Sequence, residues 1–235
     1  MNSDRVKALR REYVLKIMKA QSKRKRILYF DETIFNLFCS RTCGWSRRGS
    51  RAVVVRPGLK GGNLSVIACI SAQGLEGAEF RWGTNNADAI DSFVMTLLDK
   101  LMDKGVSMFD VAVVCDNASI HTNVEEITRR AEYAEVEFIN LSPYSPMLNP
   151  IENVFSVFKS GVRAFLAAKR DEILQVPPNQ TKAVHRAHYL LRAAKYSMCV
   201  KVTPDLCDSE AAHTLSFHAA ALDEHDMLVD ETSNF

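Results

Sequence analysis

The run MFDVAVVCD, Met108 to Asp116, decides the fold. It is a near-continuous apolar stretch that ends in an acid. A strand with one wet face alternates apolar and polar residues, whereas a parallel strand covered on both faces does not. Val111 to Cys115 therefore reads as a buried parallel strand. Asp116 stands at its C-terminal tip, where ligands gather in open α/β sheets.

Working upstream, Ile90, Phe93, Val94, Leu97, Leu98 and Leu101 recur at helical spacing between Asn86 and Lys104, and Gly105 supplies a stop. Earlier still, RILYFDETIFNLF (26–38) is rich in aromatic and β-branched residues and reads as a long first strand. AVVV (52–55) reads as a second strand, GLKGG (58–62) as a turn and NLSVIACISAQG (63–74) as a third strand closed by Gly74. Residues 27–74 thus resemble an antiparallel meander, with EFRWGT (79–84) as a short further piece. Downstream, NVEEITRRAEYA (123–134) reads as a helix and VEFINL (136–141) as a strand. Asn149 or Pro150 opens the next helix. After Ala168 the chain is mostly helical, roughly over 181–200 and 209–222, with VTPDLC (202–207) between.

A meander followed by alternating strands and helices makes a mixed sheet with helices on its faces. The expected fold is α/β: an RNase H-like mixed five-stranded sheet flanked by helices, with a helical C-terminal extension. Residues 1–26 form a basic N-terminal helix or linker, 27–168 the central domain, and 169–235 the C-terminal extension with an acidic end.

Three acids stand out by position. Asp31 lies inside an apolar strand, where a charge is costly unless used or paired. Asp116 ends the central strand. Glu152 sits in the first turn of a helix, behind a loop restricted by Pro143, Pro146 and Pro150, with Asn149 as the N-cap candidate. If the first and central strands are parallel neighbours, Asp31 and Asp116 lie side by side and Glu152 faces them. Hard cations such as Mg²⁺ take oxygen ligands, and two of them about 3.5–4 Å apart assist in-line displacement at phosphorus. Two of the acids also have a plain role, and Asp31 is the least easily dismissed. Glu152 suits the helix dipole, and Asp116 suits a strand-to-turn junction.

Composition bounds the rest. The 47% hydrophobic content supports a core, and no apolar run approaches the length of a membrane span. The N-terminal MNSDRVKALRREYVLKIMKA is charged throughout and lacks the apolar stretch of a signal peptide, so an intracellular protein is expected. The six cysteines (39, 43, 69, 115, 199, 207) show no CxxC pairing and read as mostly buried thiols. Residues 1–26 hold ten Lys or Arg against Asp4 and Glu12, whereas eight acids and no Lys or Arg follow from Asp205 onward. A basic arm on an otherwise acidic body suggests a polyanion near the N-terminus, or simply a solvated helix face. KRKR (23–26) resembles a nuclear import signal.

The segments YFDET, CDNASIH, PYSPMLNPIENVFSVFK and GWSRRG resemble the catalytic domain of mariner superfamily DDE transposases, which include related bacterial insertion-sequence enzymes. The resemblance runs from about Arg26 to Leu166, some 60% of the chain, and 35 residues lie between Asp116 and Glu152. It implies that Asp31, Asp116 and Glu152 form a catalytic triad binding two Mg²⁺ or Mn²⁺ ions. It implies DNA as partner, both transposon ends and target, cut and joined by phosphodiester cleavage and strand transfer. A homodimer and, in a eukaryote, a nuclear location also follow from it. Asn117 and His121 match the family's DNxxxH, with His121 placed to touch a phosphate or a ligand water, or to make a structural hydrogen bond. Tyr144 and Asn149 shape the loop beside the DNA groove. Trp45, Arg47, Arg48 and Arg51 lie in a hairpin that meets DNA in the family, where Arg binds phosphates and Trp stacks. Family members usually carry N-terminal helix-turn-helix units, and only a short basic helix precedes the first strand here, so end recognition is not expected of this chain alone. Two alternatives stand beside this expectation: a domesticated, non-catalytic binding or assembly module, and another RNase H-like nuclease.

Overall fold

The computed structural model describes residues 2–35, 46–51, 62–118, 121 and 123–228. Its helices are α1 (Asp4–Ser22), α2 (Ala87–Asp103), α3 (Val124–Thr128), α4 (Pro150–Ala168), α5 (Arg170–Leu174), α6 (Lys182–Lys201), α7 (Pro204–Thr214) and α8 (His218–Leu222). Its strands are β1 (Arg26–Phe35), β2 (Leu64–Ser71), β3 (Gly74–Trp82), β4 (Val111–Cys115) and β5 (Glu137–Asn140). The sheet order is β3-β2-β1-β4-β5. β2 pairs antiparallel with both β1 and β3, while β4 pairs parallel with β1 and β5. This is the mixed, helix-flanked five-stranded sheet expected from the element order.

Strand alternation sorts the core into two layers. On one face Leu28, Phe30, Ile67, Cys69, Val113 and Cys115 pack with Ile90, Phe93, Leu97 and Leu98 of α2. On the other, Tyr29, Val66, Ala68, Ala112 and Val114 pack with α1, α4 and α6. Helix α4 buries Ile151, Val154, Phe155, Phe158 and Val162, spaced at three and four residues, against that second face. Fully burying one such side chain is worth about 1.5–3 kcal/mol. Gly161 permits the close crossing of α4 over α6: a Cβ there would stand 2.9 Å from Lys201 Cγ and 3.1 Å from Ser197 Oγ.

The meander differs in detail from the expectation. The partner of β1 is LSVIACIS, and a two-residue turn, Ala72-Gln73, leads straight into β3. Gly74 pairs with Ser71 and opens β3 at φ 126°, so it starts a strand instead of closing one. The run AVVV lies outside the described residues. The helix expected over 123–134 stops at Thr128, and Tyr133 turns inward on a following 3₁₀ turn, its hydroxyl donating to Asp99 at 2.5 Å. VTPDLC is not a plain connector. The Thr203 hydroxyl accepts from the Leu206 amide and Pro204 takes the first helical position, so α7 begins there.

Helix α1 is part of the same core. Tyr13, Val14, Ile17 and Ala20 pack in one cluster with β1 and α4. The acidic end meets this basic helix at Lys7, whose ammonium stands 2.5 Å from Asp226. Cys69, Cys115 and Cys207 are buried thiols and Cys199 is exposed. Among the described residues no helix is long and apolar enough to cross a membrane.

Candidate metal-binding active site

The register of β1 and β4 builds the site. The parallel ladder runs as far as Tyr29 opposite Val114, and Asp31 and Asp116 each lie two residues beyond that pair, Asp31 within β1 and Asp116 just past the end of β4. Alternation turns both acids toward the face that holds Tyr29, Val114 and α4. Helix α4 packs on that face, and Glu152 lies in its first turn.

The three carboxyls act on one another. Burial, then the charges of Glu152 and Asp116, push Asp31 up to about 8, against the pull of the hydrogen bond from the Glu32 amide to its Oδ1 at 2.7 Å. Glu152 is also raised, by burial and by Asp116, with Lys159 opposing. Asp116 moves the other way. Burial would raise it, but hydrogen bonds from His121 and from the Ala118 amide, the latter at 3.0 Å, hold it below its ordinary value.

His121 links acids of the two central strands, Asp116 just past β4 and Glu32 in β1. Its Nδ1 meets Asp116 Oδ1 at 2.5 Å, and its Nε2 meets the Glu32 carboxylate at 2.9 and 3.1 Å. Burial alone would lower its pKa, yet the bonds to Asp116, Cys115 and Glu32 raise it, so the ring is a cation held between two carboxylates. Cys115, Asp116 and His121 also bring their ligand atoms within 4.8 Å of one another. Both ring nitrogens are already engaged, and burial keeps the Cys115 thiol protonated. The group therefore acts as a clamp on Asp116, not as a soft-metal site.

The supporting residues divide. Asn149 occupies the N-cap position of α4, but its side chain makes no capping bond; its Nδ2 donates to Asp31 Oδ2 at 3.3 Å. Its Oδ1 is buried and has no hydrogen-bond partner among the described residues. An amide oxygen left open beside a carboxylate trio is a hard-oxygen donor set, and it fits a divalent cation and its ligand waters. Asn117 turns away from the trio and donates to the Leu141 carbonyl at 2.5 Å, tying the ends of β4 and β5. Tyr144 is 63% exposed with φ 53°. Arg47, Arg48 and Arg51 are exposed around a turn in which the Ser50 amide donates to the Arg47 carbonyl at 2.9 Å. Trp45 lies outside the described residues.

Glu32 is a candidate site residue that the sequence pattern hid: its carboxylate meets His121. It follows Asp31 and points to the opposite face, so a search for acids on the Asp31 face passes over it. The signal was the combination of a second acid in the same apolar strand with a histidine five residues after Asp116.

A model of the DDE superfamily endonuclease family matches residues 26–175. Among solved structures, the Mos1 transposase paired-end complex with left transposon end is similar at 17% identity and TM-score 0.62, over 94% of this chain and 62% of that one. A pre-cleavage Mos1 transpososome is similar at 17% identity and TM-score 0.63, over 97% and 65%. The catalytic domain of Mos1 mariner transposase alone is similar at 17% identity and TM-score 0.56, over 96% and 95%. At such identity the likeness is one of fold, and the chain spans about 62% of the transposase chain in the paired-end complex. No curated protein sequence matches.

Proposed function

The chain belongs to the DDE superfamily endonuclease family, and from that membership we propose that Asp31, Asp116 and Glu152 are the catalytic metal ligands of a transposase-type DNA cleavage and strand-transfer site. The observation that supports this is the electrostatic proximity of the three acids: Glu152 and Asp116 both act on the charge of Asp31, which lies two residues beyond the last β1–β4 pair. Two Mg²⁺ or Mn²⁺ ions, when bound, would supply activation of the attacking oxygen and neutralisation of charge at the phosphorus. Structures of Mos1 paired-end complexes with Mn and with Mg support divalent metal use by this fold.

The chain's own residues perform the positioning. Burial and two neighbouring acids favour the protonated form of Asp31 in the metal-free protein; as a ligand of a bound cation it would be ionised. Asp116 is kept ionised and fixed in direction by His121, which Glu32 orients from the far side. Asn149 steadies Asp31 through its amide nitrogen. Preorganised charge of this kind needs little rearrangement as the reaction proceeds.

The substrate is DNA, with transposon ends cut first and target DNA joined by the resulting 3′-hydroxyl. The Mos1 complexes with transposon-end DNA support this choice. Arg47, Arg48 and Arg51, with Trp45, are the proposed backbone and stacking contacts. A homodimer would present two such sites, and work on chromosomal DNA places the protein in the nucleus of a eukaryotic cell. The presence of all three acids, with Glu152 and Asp116 both acting on Asp31, supports the catalytic reading over a non-catalytic descendant. The test is a plasmid-nicking assay in Mn²⁺ with Asp116→Ala. Loss of nicking with an unchanged circular dichroism spectrum is expected, and nicking at the parent rate refutes the assignment.

A further inference from the structure

Helix α1 turns one arginine inward. Arg10 is 0% exposed, in the stripe that also buries Val6, Tyr13, Val14 and Ile17. Its Nε donates to Ser145 Oγ at 2.8 Å, its Nη2 to the Tyr144 carbonyl at 2.8 Å and its Nη1 to Asn2 Oδ1 at 2.7 Å. One turn later Tyr13 donates its hydroxyl to the Leu148 carbonyl at 3.2 Å. Three of these four bonds land on residues 144–148, the loop that leads into Asn149 and α4. A guanidinium is expensive to bury, and an apolar side chain would serve packing alone. What the fork adds is direction, because its donors are coplanar and fixed relative to one another. Tyr144 needs that hold: a bulky residue at φ 53° persists only where its surroundings enforce it.

The loop carries two parts of the metal site at once. Asn149, whose side chain bonds Asp31, is one residue beyond Leu148. Its carbonyl accepts from the Glu152 amide at 3.2 Å, so the helix start moves with the loop. We infer that Arg10 is a positioning residue for the metal site, with α1 as a strut that fixes the 144–148 loop and thereby seats Asn149 and Glu152. The inference rests on the proposed metal-ligand role of the three acids. Metal affinity then depends on a side chain that touches neither the cation nor DNA, on a helix outside the segment that the family model matches.

The test is Mn²⁺ binding to the folded full chain without DNA, followed by electron paramagnetic resonance of the free ion. Arg10→Lys keeps the charge but loses the fork, and Arg10→Met keeps only the bulk. Both are expected to weaken Mn²⁺ binding by about tenfold, the scale of an outer-shell defect at a metal site, with the circular dichroism spectrum retained. If neither variant folds, Ser145→Ala, which removes the acceptor of Arg10 Nε, is expected to weaken it about threefold. Binding equal to the parent in a folded Arg10→Lys, or in Ser145→Ala, overturns the strut. Asp116→Asn measured beside them separates the two failures. If it too binds Mn²⁺ like the parent, the metal-ligand assignment has fallen instead.

Discussion

Replacing Asp31 by asparagine should make the metal-free protein more stable at pH 8 and flatten its dependence on pH. Asp31 ionises at about 8 in the folded protein, against an ordinary 3.8. Between those values the native state keeps a proton that the unfolded chain has lost, so stability falls as pH rises through that window. Each unit of difference is worth about 1.36 kcal/mol. From pH 5 to pH 8 the ceiling is therefore about 4 kcal/mol, and partial solvent contact reduces the expectation to about 2 kcal/mol. For a chain of this length that corresponds to roughly 4–8 °C in Tm. The assay is thermal unfolding in EDTA at pH 5, 6.5 and 8 for the parent and for Asp31→Asn. His121 and Glu152 also have raised values and destabilise the protein in the same direction as pH climbs, but both remain in the variant, so the difference between the two curves reports Asp31 together with its coupling to the neighbouring acids. Mn²⁺ at pH 8 should restore the parent and leave Asp31→Asn unmoved, since a ligand stabilises only the state that binds it. Parallel curves for the two proteins, or a parent whose stability is flat from pH 5 to pH 8, would refute the reasoning.

Other expectations concern separate parts of the molecule. Glu32→Gln keeps a contact with His121 but removes the charge that orients it, so the Mn²⁺ concentration for half-maximal nicking should rise about tenfold with little change in Tm. An unchanged Mn²⁺ titration would mean that Glu32 does not act through Asp116. Gly161→Ala should lose about 1 kcal/mol in urea unfolding, because the gain in helix propensity is smaller than the overpacking against Ser197 and Lys201. A more stable variant would show that the α4–α6 crossing opens freely. Changing Arg47, Arg48 and Arg51 together to alanine should lower the slope of log affinity for DNA against log salt by about 0.9 for each phosphate contact removed. A slope equal to the parent's would take that turn out of the DNA interface.

The sequence was legible where packing and covalent pattern agree. The wholly buried run at β4, the helical stripe of α2 and the proline-framed start of α4 marked the centre of the sheet and two of the candidate acids, Asp116 and Glu152. β3 was harder to see. GLEGAEFRW carries two glycines and two glutamates because it is an edge strand, and its polarity hides its pairing with β2. Asn149 was legible as the residue before the helix but not in its partner, since a cap position allows its side chain to turn either inward to Asp31 or back to the helix. Arg10 was hidden by its charge. Counted among ten basic residues, it belongs to an arm aimed at a polyanion. Its spacing from Val6, Tyr13, Val14 and Ile17 puts it on the buried stripe, and only three-dimensional contact with residues 144–148 reveals why a cation sits there.

The central claim is that Asp31, Asp116 and Glu152 share divalent cations. Its most direct test is diffraction at the manganese edge from crystals of the protein soaked in Mn²⁺. Two anomalous peaks, one between Asp31 and Asp116 and one against Glu152, are predicted. A peak seated on Cys115 and His121 instead, or none at all at saturating Mn²⁺, would contradict it.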